Sequence, residues 1–274
     1  MAVARHNAPM TNRLTTRHAS DAARIALRCL DFTSLNDGDT EASVAAFTER
    51  ALTPHGPPAA LCVYPRFVAA ARRVLVARGL DGVKIATVVN FPHGNSAASE
   101  VVAEIGAGLA AGADEIDAVF PWRALQAGDA AAGTTMLRAC RRACGGATLK
   151  VILETGELAS PALITRAAEI AVAEGADFLK TSTGKVPINA TPEAVQTLLA
   201  VIAHHGGRVG LKIAGGLKTM DDVQLYLTLA AAACGEAWLA PERLRFGASS
   251  LLPVLLAALD GRHNERGEPG TAGY

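Results

Sequence analysis

The chain has 274 residues, and half of them are hydrophobic. Lysine plus arginine and aspartate plus glutamate each number 26, so the formal net charge is zero. Such a chain is too apolar to be largely disordered, and it has no overall field to steer it toward nucleic acid or an acidic membrane. The length suits one large domain or two small ones, and an α/β barrel of about 250 residues would use nearly all of it. The longest purely apolar stretches, such as Ala230–Cys234, fall far short of the ~20 residues of a membrane span. The first residues lack an apolar core of the secretory kind, so no signal peptide is predicted. Five cysteines (Cys29, Cys62, Cys140, Cys144, Cys234) without a CxxC pair read as reduced thiols, and a cytoplasmic setting is expected. Cys140 and Cys144 sit four apart on a predicted helix, where two thiols alone would hold no metal.

Along the chain, residues 1–22 are polar and without a period, and they read as a loose arm. Short β-prone runs then alternate with longer alanine-rich helical runs. The predicted strands are Cys29–Thr33, Ala60–Tyr64, Lys84–Asn90, Glu115–Phe120, Leu149–Glu154, Phe178–Ser182, Gly210–Ala214 and Arg245–Ala248. The predicted helices are Ser43–Ala51, Arg66–Arg78, Ala97–Ala111, Ala130–Cys144, Ala162–Glu174, Glu193–His204, Met220–Ala233 and Leu251–Leu259. Ser160-Pro161 and Thr191-Pro192 each offer a capping hydroxyl before a proline at the first helical position. Gly79, Gly175 and Gly206 fall where helices should end. Residues 261–274 are rich in glycine and charge and read as a flexible tail.

Eight strand–helix units point to the α/β class and to a single-domain (β/α)8 TIM barrel over residues 23–260. An open doubly wound sheet is the alternative. It would usually carry a GxGxxG loop after its first strand, and TSLNDGDT stands there instead.

In a barrel strand, alternate residues face the lumen and the helices. With Lys180 inward, Leu179 faces the helices. With Lys212 inward, Leu211 and Ile213 do, and small Gly210 and Ala214 leave room in the lumen. The same phase turns Asp117 inward opposite Ile116 and Ala118, and Lys150 and Glu154 inward opposite Val151 and Leu153. Buried charge is costly unless it is paired. Two explanations fit: ion pairs that fill a barrel, or amine catalysis. For the second, crowding of ammonium groups and desolvation both favour a neutral amine, which can attack a carbonyl. Lys180 and Lys212 lie on neighbouring strands and can approach.

The loops after the sixth, seventh and eighth strands form a second constellation. Thr183-Gly184-Lys185 supplies a hydroxyl, an amide and a cation. Gly215-Gly216 follows the seventh strand, and Gly247-Ala248-Ser249-Ser250 opens the last helix. Backbone amides at a helix start bind phosphate, and barrels often hold phosphate after strands seven and eight. His204 and His205 are adjacent on a predicted helix, expected at the surface and facing different ways. His93 is a candidate for a substrate loop after the third strand. No HxH or HExxH metal motif occurs.

These segments resemble the deoxyribose-phosphate aldolases. The resemblance is carried by FLKTSTGK at 178–185, GLKIAGG at 210–216 and GADEIDAVFP at 112–121. LDFTSLNDGDT at 30–40, ALCVYPRF at 60–67, IATVVNFPHGN at 85–95, LKVILETGEL at 149–158 and RFGASSLL at 245–252 extend it in order through nearly the whole barrel. It implies a class I aldolase that splits 2-deoxy-D-ribose 5-phosphate reversibly into D-glyceraldehyde 3-phosphate and acetaldehyde, without metal or other cofactor. It implies Lys180 as the Schiff-base lysine, Lys212 as the lysine that depresses its pKa, and Asp117 as the proton-relay acid. Thr183, Gly184, Lys185, Gly216, Gly247, Ser249 and Ser250 would hold the phosphate end, and Asp31 and Cys62 would line the substrate pocket. Lys218 stands where arginine is common, keeping a cation but losing a bidentate fork. Trp122 stands where tyrosine is frequent.

Related aldolases that retain such a tail also end in tyrosine, which implies that Tyr274 reaches the active site and helps move a proton at the enamine carbon. Fourteen extended residues at about 3.3 Å each make that reach feasible. The implied partners are sugar phosphates and aldehydes, not nucleic acid or membrane. Oligomeric state is left open, a homodimer being compatible. Two other functions stay open: a different Schiff-base barrel such as a transaldolase or fructose-bisphosphate aldolase, and a catalytically dead sugar-phosphate-binding barrel. The mark of the second is a lost lysine, and both lysines are present.

Overall fold

In a computed structural model of the chain, residues 18–262 are described. Eight parallel strands close into a barrel in sequence order. They are β1 (Leu30–Ser34), β2 (Ala60–Val63), β3 (Lys84–Val89), β4 (Glu115–Val119), β5 (Thr148–Ile152), β6 (Phe178–Lys180), β7 (Gly210–Ala214) and β8 (Leu244–Ala248). Around them lie α1 (Ala19–Arg28), α2 (Glu41–Glu49), α3 (Val68–Ala77), α4 (Ala98–Ala110), α5 (Trp122–Gln126) and α6 (Ala130–Cys144). The series continues with α7 (Thr155–Leu158), α8 (Pro161–Ala173), α9 (Pro192–His204), α10 (Met220–Cys234) and α11 (Leu251–Leu259). The strand Gly210–Ala214 and the helices Ala130–Cys144 and Leu251–Leu259 have their predicted bounds, and most other elements shift by one or two residues. No helix among the described residues is long and apolar enough to cross a membrane.

Alternation along the strands builds two environments. Phe32, Leu61, Ile116, Val151, Leu179 and Leu211 are 0% exposed and belong to the apolar layer under the helices. Each such side chain contributes about 1.5–3 kcal/mol by leaving water. Their neighbours in sequence point into the lumen, where the buried charges collect.

Three helices depart from expectation. α1 begins at Ala19, inside the stretch read as an arm, so residues 19–22 belong to the fold. It buries Ala22, Ala23, Ala26 and Leu27 and packs on α10 and α11. α5 and α7 are too short to show a period. Of the two cap signals, Thr191 accepts from Ala194 N at 3.2 Å. Ser160 occupies the cap position, but its hydroxyl makes no cap bond, so proline alone sets that start.

The helix-ending glycines are explained by one geometry. Gly79 has φ +67°. It donates to Val76 O, and Leu80 donates to Leu75 O, closing the helix with a left-handed residue. Gly261 does the same after α11, with φ +71°, and Arg262 donates to Ala257 O. Residues 261–262, expected in the tail, thus cap the last helix. Tyr274 lies outside the described residues. The His204 and His205 rings do not face apart. They meet edge to face at 5.3 Å, and His205 Nε2 lies 2.6 Å from Glu169.

Candidate active site

Strand register gathers the inward charges. Lys180 and Lys212 are direct partners across β6 and β7. Lys212 pairs with Arg245 across β7 and β8, and Asp117 with Lys150 across β4 and β5. Asp117 is the hub. Its Oδ2 accepts from Lys180 at 2.7 Å and from Lys212 at 2.8 Å, and its Oδ1 accepts from Lys150 at 2.9 Å. All four side chains are 2% exposed or less, so these are desolvated contacts.

The lysines are not equivalent. Lys150 Nζ is near Glu115 at 2.5 Å and Asp31 at 3.5 Å besides Asp117. Lys212 Nζ lies 2.6 Å from Asp31 besides Asp117. Among the described residues Lys180 has Asp117 as its single ion-pair partner, while the buried Glu154 also feels its charge. Burial pushes all three amines down. For Lys150 and Lys212 the carboxylates outweigh it and hold the amine above its usual value. For Lys180, burial and the Lys212 charge outweigh Asp117, and its pKa is lowered. Burial also pushes the Asp117 carboxyl up, but three ammonium groups overcome this and hold it well below the usual carboxylate range. The arrangement thus selects Lys180 as the amine that deprotonates first.

Asp31 and Cys62, expected to line the pocket, are both 0% exposed. Asp31 holds Lys212 at 2.6 Å and accepts from Arg245 Nη1 at 2.6 Å. Cys62 lies in a small apolar cluster with Leu35, Ala86 and Val88, and burial raises its thiol pKa. Glu115 and Arg245 escaped the sequence reading, although the run Arg245-Phe246-Gly247 carries the signal. Phe246 is 0% exposed in the apolar layer, which turns Arg245 inward.

The predicted phosphate residues lie at the C-terminal ends of β6, β7 and β8, Gly247 within β8 and the others on the loops that follow, at the catalytic end of this kind of barrel. Glu154 braces the first loop, its carboxylate accepting from Thr183 N at 3.1 Å and Thr183 Oγ1 at 2.6 Å. Lys185 Nζ reaches Asp37 at 3.2 Å across the mouth. The two glycines after β7 differ. A Cβ on Gly215 would lie 2.6 Å from Asn189 Cγ, so Gly215 serves packing. Gly216 and Gly184 have φ of +87° and +84° with open space beside them, so ligand can approach their backbone. Ser250 Oγ donates to Leu217 O at 3.5 Å, which ties the third loop to the second. Ser249, Gly216 and Lys218 are exposed at the mouth. His93 is also exposed, and its carbonyl accepts from Arg123 at 2.7 Å.

The DeoC/LacD family aldolase model matches residues 25–257, which spans the whole barrel from α1 into α11. The chain belongs to the DeoC/LacD family of aldolases. Solved structures agree. A candidate deoxyribose-phosphate aldolase from Toxoplasma gondii is 28% identical, with a TM-score of 0.83 over 89% of this chain and 96% of that one. One from Coccidioides immitis is also 28% identical, with a TM-score of 0.75 over 86% and 85%. The tetrameric deoxyribose phosphate aldolase of Aeropyrum pernix, 24% identical, shares the fold with a TM-score of 0.69 over 89% and 97%. The lysine–aspartate cluster therefore lies in the lumen of a DeoC/LacD aldolase barrel, and small-molecule substrates are the family's chemistry.

Proposed function

We propose that this aldolase cleaves 2-deoxy-D-ribose 5-phosphate reversibly to D-glyceraldehyde 3-phosphate and acetaldehyde through a Schiff base on Lys180. The observation that carries the proposal is the asymmetry among the buried lysines. Of the three, Lys180 alone ion-pairs with a single carboxylate among the described residues, and it alone is lowered in pKa. A lowered pKa enlarges the share of neutral amine, the form that attacks an aldehyde.

The open-chain sugar offers its aldehyde carbon to Lys180 Nζ. Loss of water gives an iminium, which accepts the electron pair of the breaking carbon–carbon bond. Asp117, with Lys212 and a bridging water, takes the proton of the hydroxyl beside that bond. Because the surrounding cations, Lys150 and Lys212 among them, hold Asp117 so far down, it is a weak base alone and acts within this relay. Glyceraldehyde 3-phosphate departs, the enamine gains a proton on carbon, and hydrolysis releases acetaldehyde and the free amine. Thr183, Gly184, Lys185, Gly216, Lys218, Gly247, Ser249 and Ser250 hold the phosphate. These contacts are remote from the breaking bond and position it against Lys180.

The test is product identity. Incubation with 2-deoxyribose 5-phosphate should yield acetaldehyde and glyceraldehyde 3-phosphate in equal amounts by proton NMR. Cleavage of fructose 1,6-bisphosphate without acetaldehyde from the deoxy sugar would instead favour another Schiff-base aldolase, and no cleavage of either would favour a binding protein.

A further inference from the structure

Nearer the N-terminal ends of the strands, Arg245 spans two carboxylates. Its Nη1 donates to Asp31 Oδ1 at 2.6 Å and its Nη2 donates to Glu115 Oε1 at 2.9 Å. Its Nε donates to Pro241 O at 2.5 Å, so the planar fork is fixed at every edge. From Arg245 two chains of contacts lead to Asp117. One runs through Asp31 to Lys212 at 2.6 Å and on to Asp117 at 2.8 Å. The other runs through Glu115 to Lys150 at 2.5 Å and on to Asp117 at 2.9 Å. Lys180 hangs from Asp117 outside this ring.

The ring is electrically complete without Lys180. Arg245, Lys150 and Lys212 balance Asp31, Glu115 and Asp117, all of them buried. A proton on Lys180 is one positive charge beyond the ring's balance in a dry site, where unbalanced charge is costly; the buried Glu154 carboxylate, which also feels Lys180, is bonded to Thr183 and pushed up in pKa by burial. Arg245 is the ring member that cannot give up its proton. We propose that Arg245 is a positioning residue that keeps Lys180 neutral, by completing the charge balance of the ring that ends on Asp117. The proposal rests on Lys180 as the reactive amine of the reaction above.

Arg245 acts through other residues. Without it, Asp31 and Glu115 draw more strongly on Lys212 and Lys150. Those amines then neutralise less of Asp117, and Asp117 holds the Lys180 proton. Without Glu115, Lys150 keeps Asp117 as its nearest carboxylate with Asp31 at 3.5 Å, Arg245 turns to Asp31, and Lys212 shifts toward Asp117. Asp117 is then more fully neutralised and Lys180 loses its proton more readily. The remaining groups facing Lys180 stay the same in both cases. Among the described residues they are Cys62 from β2, a thiol whose pKa burial raises, and Glu154 just after β5, bonded to Thr183.

The experiment reads Lys180 ionisation without any substrate. Limiting acetic anhydride labels the folded enzyme across a pH series, and peptide mass spectrometry gives the labelling midpoint at Lys180. Arg245→Met should raise that midpoint by about one unit or more, and Glu115→Gln should lower it. The double variant removes one charge of each sign and should return close to the parent. Arg245→Lys, which keeps the charge, should stay near the parent. A purely structural role would lower the melting temperature and leave the midpoints in place. Unmoved midpoints, or shifts of the same sign in Arg245→Met and Glu115→Gln, overturn the proposal. Should Arg245→Met not fold, the fall in Glu115→Gln and its reversal in the double variant decide by the same criterion. Failure of acetaldehyde to form an adduct at Lys180 would refute the reaction, whereas the labelling midpoints judge the charge balance by themselves.

Discussion

Gly247 lies against the side chain of Lys212: a Cβ on Gly247 would come within 3.0 Å of Lys212 Cε and 3.0 Å of Ala214 Cβ. Lys212 has little room to yield, because its Nζ is held by Asp31 at 2.6 Å and Asp117 at 2.8 Å. Gly247→Ala should therefore push the ammonium off one carboxylate. Overpacking of this kind costs about 1–3 kcal/mol, and a misplaced relay group should lower turnover roughly ten- to a hundredfold. Thermal melts and steady-state rates check this. Parent-like values for both would mean that Gly247 serves only the phosphate end.

Lys212→Leu removes the cation beside Lys180 and gives Asp117 over to Lys180 and Lys150. Both changes favour the protonated form of Lys180. Adduct formation with acetaldehyde should collapse at neutral pH and recover in part as pH rises. A pH profile identical in shape to the parent's would show that Lys212 does not act through charge.

Stability should fall at both ends of the pH scale. Asp31 and Asp117 are lowered below their ordinary 3.8. Their contribution is present above that value and is lost as pH falls through the folded pKa. Lys150 and Lys212 are raised above their ordinary 10.5, so theirs is complete below that value and is lost as pH rises beyond it. Lys180 has the opposite sign to those two lysines, since its lowered pKa makes folding release a proton and gain stability with pH up to 10.5. Melting temperatures measured across pH should drop below about pH 4, and Asp31→Asn should flatten that acid limb. An acid limb identical to the parent's would mean that Asp31 is not held low in the fold.

Much of this site is legible in the sequence, because a strand has a period of two. Leu179 beside Lys180, Leu211 beside Lys212 and Ile116 beside Asp117 announce which side chains enter the lumen. The partners are another matter. Arg245 and Glu115 are 130 residues apart, and no local pattern says that one guanidinium joins Glu115 to Asp31. Asp31 could be turned inward from its strand, but its depth, and hence its hold on Lys212, depends on register across β1 and β8. α1 was hidden for a different reason. Its buried face is mostly Ala22, Ala23 and Ala26, which bury well but mark a helix weakly among polar neighbours.

Ser249→Glu places a carboxylate where the phosphate dianion is proposed to rest, at the start of α11. It should weaken cleavage of the phosphorylated sugar strongly and that of free 2-deoxyribose little, because the reacting end of both is the same. KM and kcat for the two sugars measure this. Equal losses for both would move the phosphate elsewhere.

The most direct test of the account is the identity of the covalent lysine. Acetaldehyde with borohydride should trap a reduced adduct on the enzyme, and peptide mass mapping should find it on the segment carrying Lys180. Lys180→Leu should abolish both adduct and cleavage while the circular dichroism of the barrel stays unchanged. An adduct on Lys212 or Lys150, or full trapping in the Lys180→Leu enzyme, would contradict the assignment of Lys180 as the neutral amine of the cluster.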